Sequence, residues 1–286
     1  MSFELDGDST AAIFTLPGSD GSFDPDHFAY LRAIGRRRPS IFLAFPPKCA
    51  GTFLRTAAIL AVNGQLMRVV HAQGGRDATP YLPTYIRYLC GGFPADPLVT
   101  HAHMQALPAN RHFIEALDLK PVIMVRSVPD MLVSYLDMLD AEPASPDHWL
   151  NIAIPANFAA MDATAKADFL IDTVMPWYAS YYATWLAYAA EAPQRVLALR
   201  YADLRRDPVA VLCAVLEHSG LPRAEEMCEL AVAAAGRNPS ETRFNRGEEG
   251  RGTARFTPPQ LGRIARLLEY YPPLRDRLCE LMPIQA

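Results

Sequence analysis

The chain has 286 residues, half of them hydrophobic and 20% charged, with a formal net charge of −4. A chain of this length can bury one substantial core, so we expect a single domain spanning 1–286. General nucleic-acid binders usually carry a basic domain, and here the only basic run, 36–38, directly precedes the first predicted strand. We therefore expect no nucleic-acid partner.

The sequence also argues against a membrane or secreted protein. No apolar stretch approaches the roughly 20 residues that a membrane helix needs. The first 35 residues contain acids and lack the basic start and apolar run of a signal peptide. The five cysteines are odd in number and show no CxxC spacing, which favours reduced thiols over a disulfide framework. These features predict a cytoplasmic protein.

Short strand-like apolar runs alternate with helical patterns along the chain. The predicted strands are 40–45, 97–101, 121–126 and 195–201, and the predicted helices are 52–64, 129–140 and 207–220. Such alternation is typical of an α/β fold with a central, mainly parallel sheet flanked by helices. Residues 1–38 form a lead-in. The least regular stretch, 140–175, is either a substrate-facing lid or an ordinary surface insertion.

The sequence FPPKCAGTF at 45–53 joins the first predicted strand to the first predicted helix. A strand–turn–helix unit directs backbone N–H groups and the positive helix end at the turn. Ala50 and Gly51 let that backbone approach a ligand closely, Lys48 adds a positive charge, and Thr52 adds a hydroxyl. This pattern predicts a site for a phosphate-like anion, although the same residues also suit a plain turn.

A nucleoside triphosphate is a poor match for this turn. A Walker A loop requires a lysine immediately before the hydroxyl residue that ligates Mg²⁺. Here Lys48 lies four residues before Thr52, and no glycine opens the loop. We therefore expect a phosphate-type ligand and no metal cofactor. A small-molecule kinase or nucleotide hydrolase, which shares the strand–turn–helix logic, remains the alternative.

The segment PPKCAGTFLR resembles the 5′-phosphosulfate loop of sulfotransferases that use 3′-phosphoadenosine 5′-phosphosulfate, typically Pro-Lys-x-Gly-Thr-Thr-Trp. The resemblance implies the same α/β fold with a P-loop-like turn. The residues that it assigns to the donor here are Lys48, Cys49, Ala50, Gly51, Thr52 and Phe53. The chain departs from the pattern where Ala50 replaces glycine, Gly51 the first threonine and Phe53 tryptophan. Cys49 has no adjacent base and is interpreted as a small loop residue.

Three further segments resemble the same family. Arg126 at a strand end and Ser134 eight residues later match its site for the 3′-phosphate of the donor. The segment 245–257, NRGEEGRGTARFT, resembles its glycine-rich loop and assigns Arg246 and Gly247 to the donor, with Asn245 in the place of an arginine. In LRYADL, Tyr201 takes the place of a tyrosine that contacts the adenine, with Phe53 as the stacking face.

A histidine just after a strand deprotonates the acceptor hydroxyl in this family, and LVTHAHM places His101 in that register. His103 lies two residues on, where a continuing strand would point it to the same face. Histidine suits a general base because its ordinary pKa lies near neutrality. A metal-binding His-x-His pair is a further reading, but no third ligand with zinc-like spacing lies nearby.

The resemblance implies in-line transfer of a sulfuryl group to a hydroxyl of a small organic acceptor. His101 would remove the acceptor proton, Lys48 would stabilise the transferred group, and Ser134 would hold Lys48 until the acceptor binds. Val99 stands where the family has a lysine. This departure, with those at Ala50 and Asn245, keeps open a non-catalytic nucleotide-binding domain.

Overall fold

A parallel sheet forms the centre of the protein. The computed structural model describes residues 25–36, 38–67, 85, 96–141, 152–237 and 249–282. Within them the strands are β1 (Ser40–Leu43), β2 (Gln65–Met67), β3 (Leu98–His101), β4 (Pro121–Val125) and β5 (Leu197–Arg200). They pair in the order β2-β3-β1-β4-β5, and every pairing is parallel.

Helices connect and cover these strands. Those in the first half of the chain are α1 (Pro25–Gly35), α2 (Gly51–Val62), α3 (Pro108–Ala116), α4 (Val128–Ala141) and α5 (Ala163–Thr173). The next are α6 (Met175–Glu191), α7 (Tyr201–Arg206), α8 (Pro208–His218) and α9 (Glu225–Gly236). The last are α10 (Arg251–Arg255), α11 (Pro258–Glu269), α12 (Pro272–Arg275) and α13 (Leu278–Leu281).

Burial on both faces of the sheet explains why the sequences of the central strands are mostly apolar. Every residue of β3 and β4 is buried, as are Ile41, Phe42 and Leu43 in β1. Parallel strands covered on both faces lose the alternation of apolar and polar residues that a half-exposed strand shows. The edge strand β5 has exposed residues at Ala198 and Arg200. The predicted strands are therefore present, each shorter than its apolar run.

Local signals set the bounds of the predicted helices. The helix expected at 52–64 is α2, and Asn63 ends it in the left-handed conformation with φ 49°. The helix expected at 207–220 is α8, which begins at Pro208, and the Asp207 carboxylate caps it by accepting from the Ala210 N–H. Tyr201, expected at a strand end, is the first residue of α7 because β5 ends at Arg200.

The described part of 140–175 is more regular than the sequence suggested. It contains a short 3₁₀ turn at Phe158–Ala160 and the helix α5, which Asp162 caps by accepting from the Ala165 N–H. Within the described residues, no helix is long and apolar enough to cross a membrane.

Candidate active site

The carboxyl ends of four neighbouring strands bring the predicted site residues together. Lys48 follows β1, His101 ends β3, Arg126 follows β4, and Tyr201 follows β5. The register pairs Leu43 with His101 and Val125 with Arg200, so the end of β1 lies beside that of β3, and the end of β4 beside that of β5. Leu43 also pairs with Val122, so β4 extends three residues beyond β1. This is the edge at which open α/β sheets bind ligands.

The turn after β1 has an unusual backbone. Lys48 and Ala50 are not glycines, yet both have positive φ, 67° and 56°. Such conformations cost about 1–3 kcal/mol each and persist where the surroundings enforce them, often at functional sites. Ala50 precedes α2, whose first intrahelical bond runs from the Leu54 N–H to the Ala50 carbonyl. The N–H groups of the first helical turn therefore have no partner within the helix and point toward the turn that precedes it.

His101 packs directly on the start of α2. A Cβ added to Gly51 would lie 2.3 Å from His101 Nε2 and 2.5 Å from Cε1. Gly51 does not have positive φ, so it is the imidazole, and not the backbone, that requires glycine here. The histidine expected to act as the base therefore lies against the predicted sulfate loop.

His103 has a defined hydrogen bond. Its Nδ1 lies 2.8 Å from the carbonyl oxygen of Phe45, so Nδ1 carries the proton and donates, which leaves Nε2 as the basic nitrogen of the neutral ring. The rings of His101 and His103 meet edge to face, with centroids 4.9 Å apart. Both histidines are buried.

Arg126 connects the turn after β1 with Tyr201, which follows β5. Its guanidinium donates to the main-chain carbonyl of Lys48 and lies 4.0 Å from the centroid of the Tyr201 ring. Its main-chain N–H donates to the Tyr182 hydroxyl at 3.1 Å. Arg126 is only 7% exposed, and its Nε is buried without a hydrogen-bond partner in the part of the chain that the structure describes. A buried N–H donor of this kind fits an added anion.

The ring of Tyr201 packs against Arg126. The ring is buried against the Arg126 guanidinium, and burial raises its pKa while the charge of Arg126 opposes the rise. Phe53, the expected stacking face for adenine, is also buried, at 8% exposure. Their contacts with adenine remain predictions.

The Cys49 thiol is in an environment that makes it unreactive. Its thiol is fully buried and lies 3.2 Å from the sulfur of Met131. Burial raises the pKa of this thiol to about 12, despite the opposing charge of Arg126 and a hydrogen bond with Tyr182. At neutral pH the group is a thiol rather than the thiolate that nucleophilic chemistry needs.

Helix α6 holds the site loops through side chains whose function the sequence did not reveal. Tyr181 donates to the Ala44 carbonyl, Tyr178 to the Pro47 carbonyl at 3.2 Å, and Trp185 Nε1 to the Met104 carbonyl at 2.7 Å. With Tyr182 beside Arg126, one helix thus anchors the segments after β1, β3 and β4. The available signal was the choice of tyrosine over phenylalanine at buried positions.

The second predicted phosphate site is only partly described. Ser134 lies on α4, buried at 4% exposure, eight residues beyond Arg126. Arg246 and Gly247, like Asn245, lie outside the described residues. Among the residues that are described, no group of three or more His, Cys, Asp or Glu side chains could hold a metal ion.

Comparisons with known proteins agree with this architecture. Residues 91–251, more than half of the chain, match the family model described as a sulfotransferase domain. The mouse sulfotransferase SULT7A1 complexed with PAP is 14% identical, with a TM-score of 0.55 over 87% of this chain and 90% of that one. Retinol dehydratase in complex with androsterone and inactive cofactor PAP is 12% identical, with a TM-score of 0.46 over 91% and 87%. No curated protein sequence matches the chain significantly.

Proposed function

Because the chain belongs to the sulfotransferase family, we propose that it transfers a sulfuryl group from 3′-phosphoadenosine 5′-phosphosulfate to a hydroxyl of a small organic acceptor. The observation that carries the proposal is the meeting of Lys48, His101 and Arg126 at one sheet edge, beside a strained anion-binding turn. In support, the mouse sulfotransferase with this fold is complexed with PAP, the product that such a donor leaves.

The donor would lie along the edge with its two charged ends apart. The N–H groups at the start of α2, with Lys48, receive the phosphosulfate end. Arg126 and Ser134 receive the 3′-phosphate. Within the described chain, the buried Nε of Arg126 has no hydrogen-bond partner and can donate to it. The adenine then falls toward Tyr201 and Phe53. Arg246 and Gly247 complete the proposed donor site from the glycine-rich loop.

The reaction is an in-line exchange of one S–O bond for another. The acceptor oxygen attacks sulfur as His101 takes its proton, and the bond from sulfur to the 5′-phosphate oxygen breaks. Adenosine 3′,5′-bisphosphate leaves with the electron pair. Lys48 and the turn N–H groups stabilise the negative charge that builds on the transferred group and the leaving phosphate, and Ser134 restrains Lys48 until the acceptor binds. Positioning and electrostatics supply most of the acceleration, as in phosphoryl transfer.

Calorimetric titration with adenosine 3′,5′-bisphosphate and with Mg-ATP tests the donor. We expect binding of the bisphosphate without added Mg²⁺, and binding of Mg-ATP alone would instead favour a kinase or nucleotide hydrolase. Transfer of labelled sulfate from the donor to a panel of phenols and alcohols tests the chemistry, with Lys48→Ala as the inactive comparison. A wild-type protein that binds the bisphosphate but sulfates no acceptor would favour a non-catalytic binding domain.

A further inference from the structure

The start of α10 is fastened to α4 by a single buried carboxylate. The main-chain N–H of Gly250 donates to Asp130 Oδ2 at 2.9 Å, and that of Gly252 donates to Asp130 Oδ1 at 2.7 Å. Both oxygens of the carboxylate thus bind the backbone of a segment 120 residues away along the chain. Asp130 is only 2% exposed, so little water competes for these bonds.

The backbone of this segment is shaped for close contact. Gly250 has φ 80°, a left-handed conformation that favours glycine. A Cβ added to Gly252 would lie 2.3 Å from the main-chain carbon of Pro129, so no larger residue fits while the segment rests on α4. These glycines therefore serve the contact with α4, whether or not the glycine-rich loop also touches a ligand.

Ser134 lies between two attachment points of the segment. Asp130, Ser134 and Asp137 occupy positions i, i+4 and i+7 of α4 and so share one face of the helix. Asp130 holds Gly250 and Gly252, while Asp137 pairs with Arg251 at 2.8 Å. The backbone at 250–252 therefore lies along the helix face that presents Ser134.

The geometry points to Asp130 as a positioning residue that gives the donor site its selectivity for a 3′-phosphate. It touches no reacting atom. Its carboxylate holds the backbone of 250–252 against α4 beside Ser134. The 3′-phosphate therefore binds next to backbone atoms whose positions are fixed. This inference rests on the proposed donor, since Ser134 and Arg126 are its assigned 3′-phosphate ligands.

A pair of nucleotides separates this role from general support of the fold. Adenosine 3′,5′-bisphosphate and adenosine 5′-monophosphate differ only in the 3′-phosphate. In Asp130→Asn an amide NH₂ replaces one acceptor oxygen and faces a backbone N–H. We expect its bisphosphate affinity to fall about tenfold or more, the scale of one misplaced charge-assisted hydrogen bond, with unchanged monophosphate affinity. Asp140→Asn, on the same helix but paired with Lys166 at 2.7 Å, is the matched control and should change neither.

A second variant guards against misfolding, and amide exchange reports the contact itself. Gly252→Ala leaves the carboxylate intact but drives the segment off Pro129, and it should show the same selective loss. In Asp130→Asn, hydrogen exchange should accelerate at the amides of Gly250 and Gly252 without a general loss of protection.

Three results would overturn the inference in distinguishable ways. Equal wild-type affinities for the two nucleotides would refute the 3′-phosphate site and the proposed donor together. A wild-type preference that survives in Asp130→Asn and Gly252→Ala would refute only the role of Asp130. Equal losses for both nucleotides would show that the carboxylate merely supports the fold.

Discussion

The imidazole of His101 fills the space that a side chain at residue 51 would take, and Gly51 leaves that space open. The two residues lie 50 positions apart, and each limits the other. A methyl group at residue 51 would push the ring off the start of α2, where the donor is proposed to bind. A threonine at this position, as in the family's motif, would clash with the imidazole where it lies in this chain.

Gly51→Ala should therefore reduce both turnover and stability. Overpacking a filled site costs about 1–3 kcal/mol of folding free energy, and the displaced imidazole no longer reaches the acceptor. The matched control is Gly262→Ala in α11, where an added Cβ meets nothing within 4 Å. That change should stabilise the protein by about 0.5–1 kcal/mol and leave turnover unchanged. Urea unfolding and steady-state kinetics measure both effects.

The double variant isolates the contact. In a His101→Ala background the space beside residue 51 is empty, so Gly51→Ala should no longer destabilise the protein. The two changes should thus be non-additive in the free energy of unfolding. Additive effects would show that the ring and Gly51 are not in contact.

Substitution of His101 and substitution of His103 should have different effects on kcat. His101→Ala removes the proposed base and should lower kcat by about 10²–10⁴-fold with the fold intact. His103→Ala removes the hydrogen bond to the Phe45 carbonyl, which costs about 0.5–1.5 kcal/mol of stability, and should lower kcat far less. The pH profiles of kcat for both variants test this. Retention of the acid limb in His101→Ala with its loss in His103→Ala would reassign the base to His103.

Much of this site could be predicted because it follows from strand ends. Apolar runs located β1, β3, β4 and β5, and the rule for parallel sheets then placed Lys48, His101 and Arg126 at one edge. The predicted α/β fold and the sulfotransferase family are confirmed. The three-residue strand β2 was missed because so short a run carries no periodicity.

The contacts within the site could not be predicted. Arg126 and the Lys48 carbonyl are 78 positions apart, and Asp130 and Gly250 are 120 apart. A local sequence pattern does not indicate which of several neighbouring groups a long side chain will contact in the folded protein. The same limit applies to Tyr201, whose place beside Arg126 depends on how β4 and β5 pack. The assigned roles of the site residues remain predictions that the experiments here test.

Arg126 should matter more for the donor than for the chemical step. Arg126→Ala removes a buried guanidinium proposed to bind the 3′-phosphate, and a hydrogen bond to a charged group contributes about 1.5–3 kcal/mol. We expect a loss of at least about tenfold in affinity for adenosine 3′,5′-bisphosphate, measured by calorimetry. Arg200→Ala is the comparison, since Arg200 ends the neighbouring strand but its side chain is 64% exposed and pairs with Glu280. Equal effects of the two changes would argue against a specific site at Arg126.

Tyr178→Phe tests whether α6 positions the turn. The change removes the hydroxyl that donates to the Pro47 carbonyl, next to the strained Lys48, and should lower both stability and kcat. Tyr188→Phe is a matched control on the same helix. The Tyr188 hydroxyl donates to the Glu115 carboxylate at 3.1 Å, and this bond lies away from the candidate site. Each loss of stability should be about 0.5–1.5 kcal/mol, but only Tyr178→Phe should slow turnover. If Tyr178→Phe were as active as Tyr188→Phe, the Tyr178 hydroxyl would contribute to stability but not to positioning the turn for catalysis.

Alkaline pH should destabilise the protein partly through Cys49. Its thiol has a pKa raised by burial from 9.0 to about 12, so the native state holds this proton more tightly than the unfolded chain does. The resulting stability is fully present below pH 9 and is lost as the pH rises toward 12. Cys228, whose pKa burial also raises, acts in the same window, so the comparison must be made between variants. In Cys49→Ala, the free energy of unfolding should fall less steeply above pH 9, by up to about 1.4 kcal/mol per pH unit. Denaturant titrations of the wild type and variant on both sides of pH 9 measure that slope, and identical slopes would show that the Cys49 thiol ionises as readily in the folded protein as in the unfolded chain.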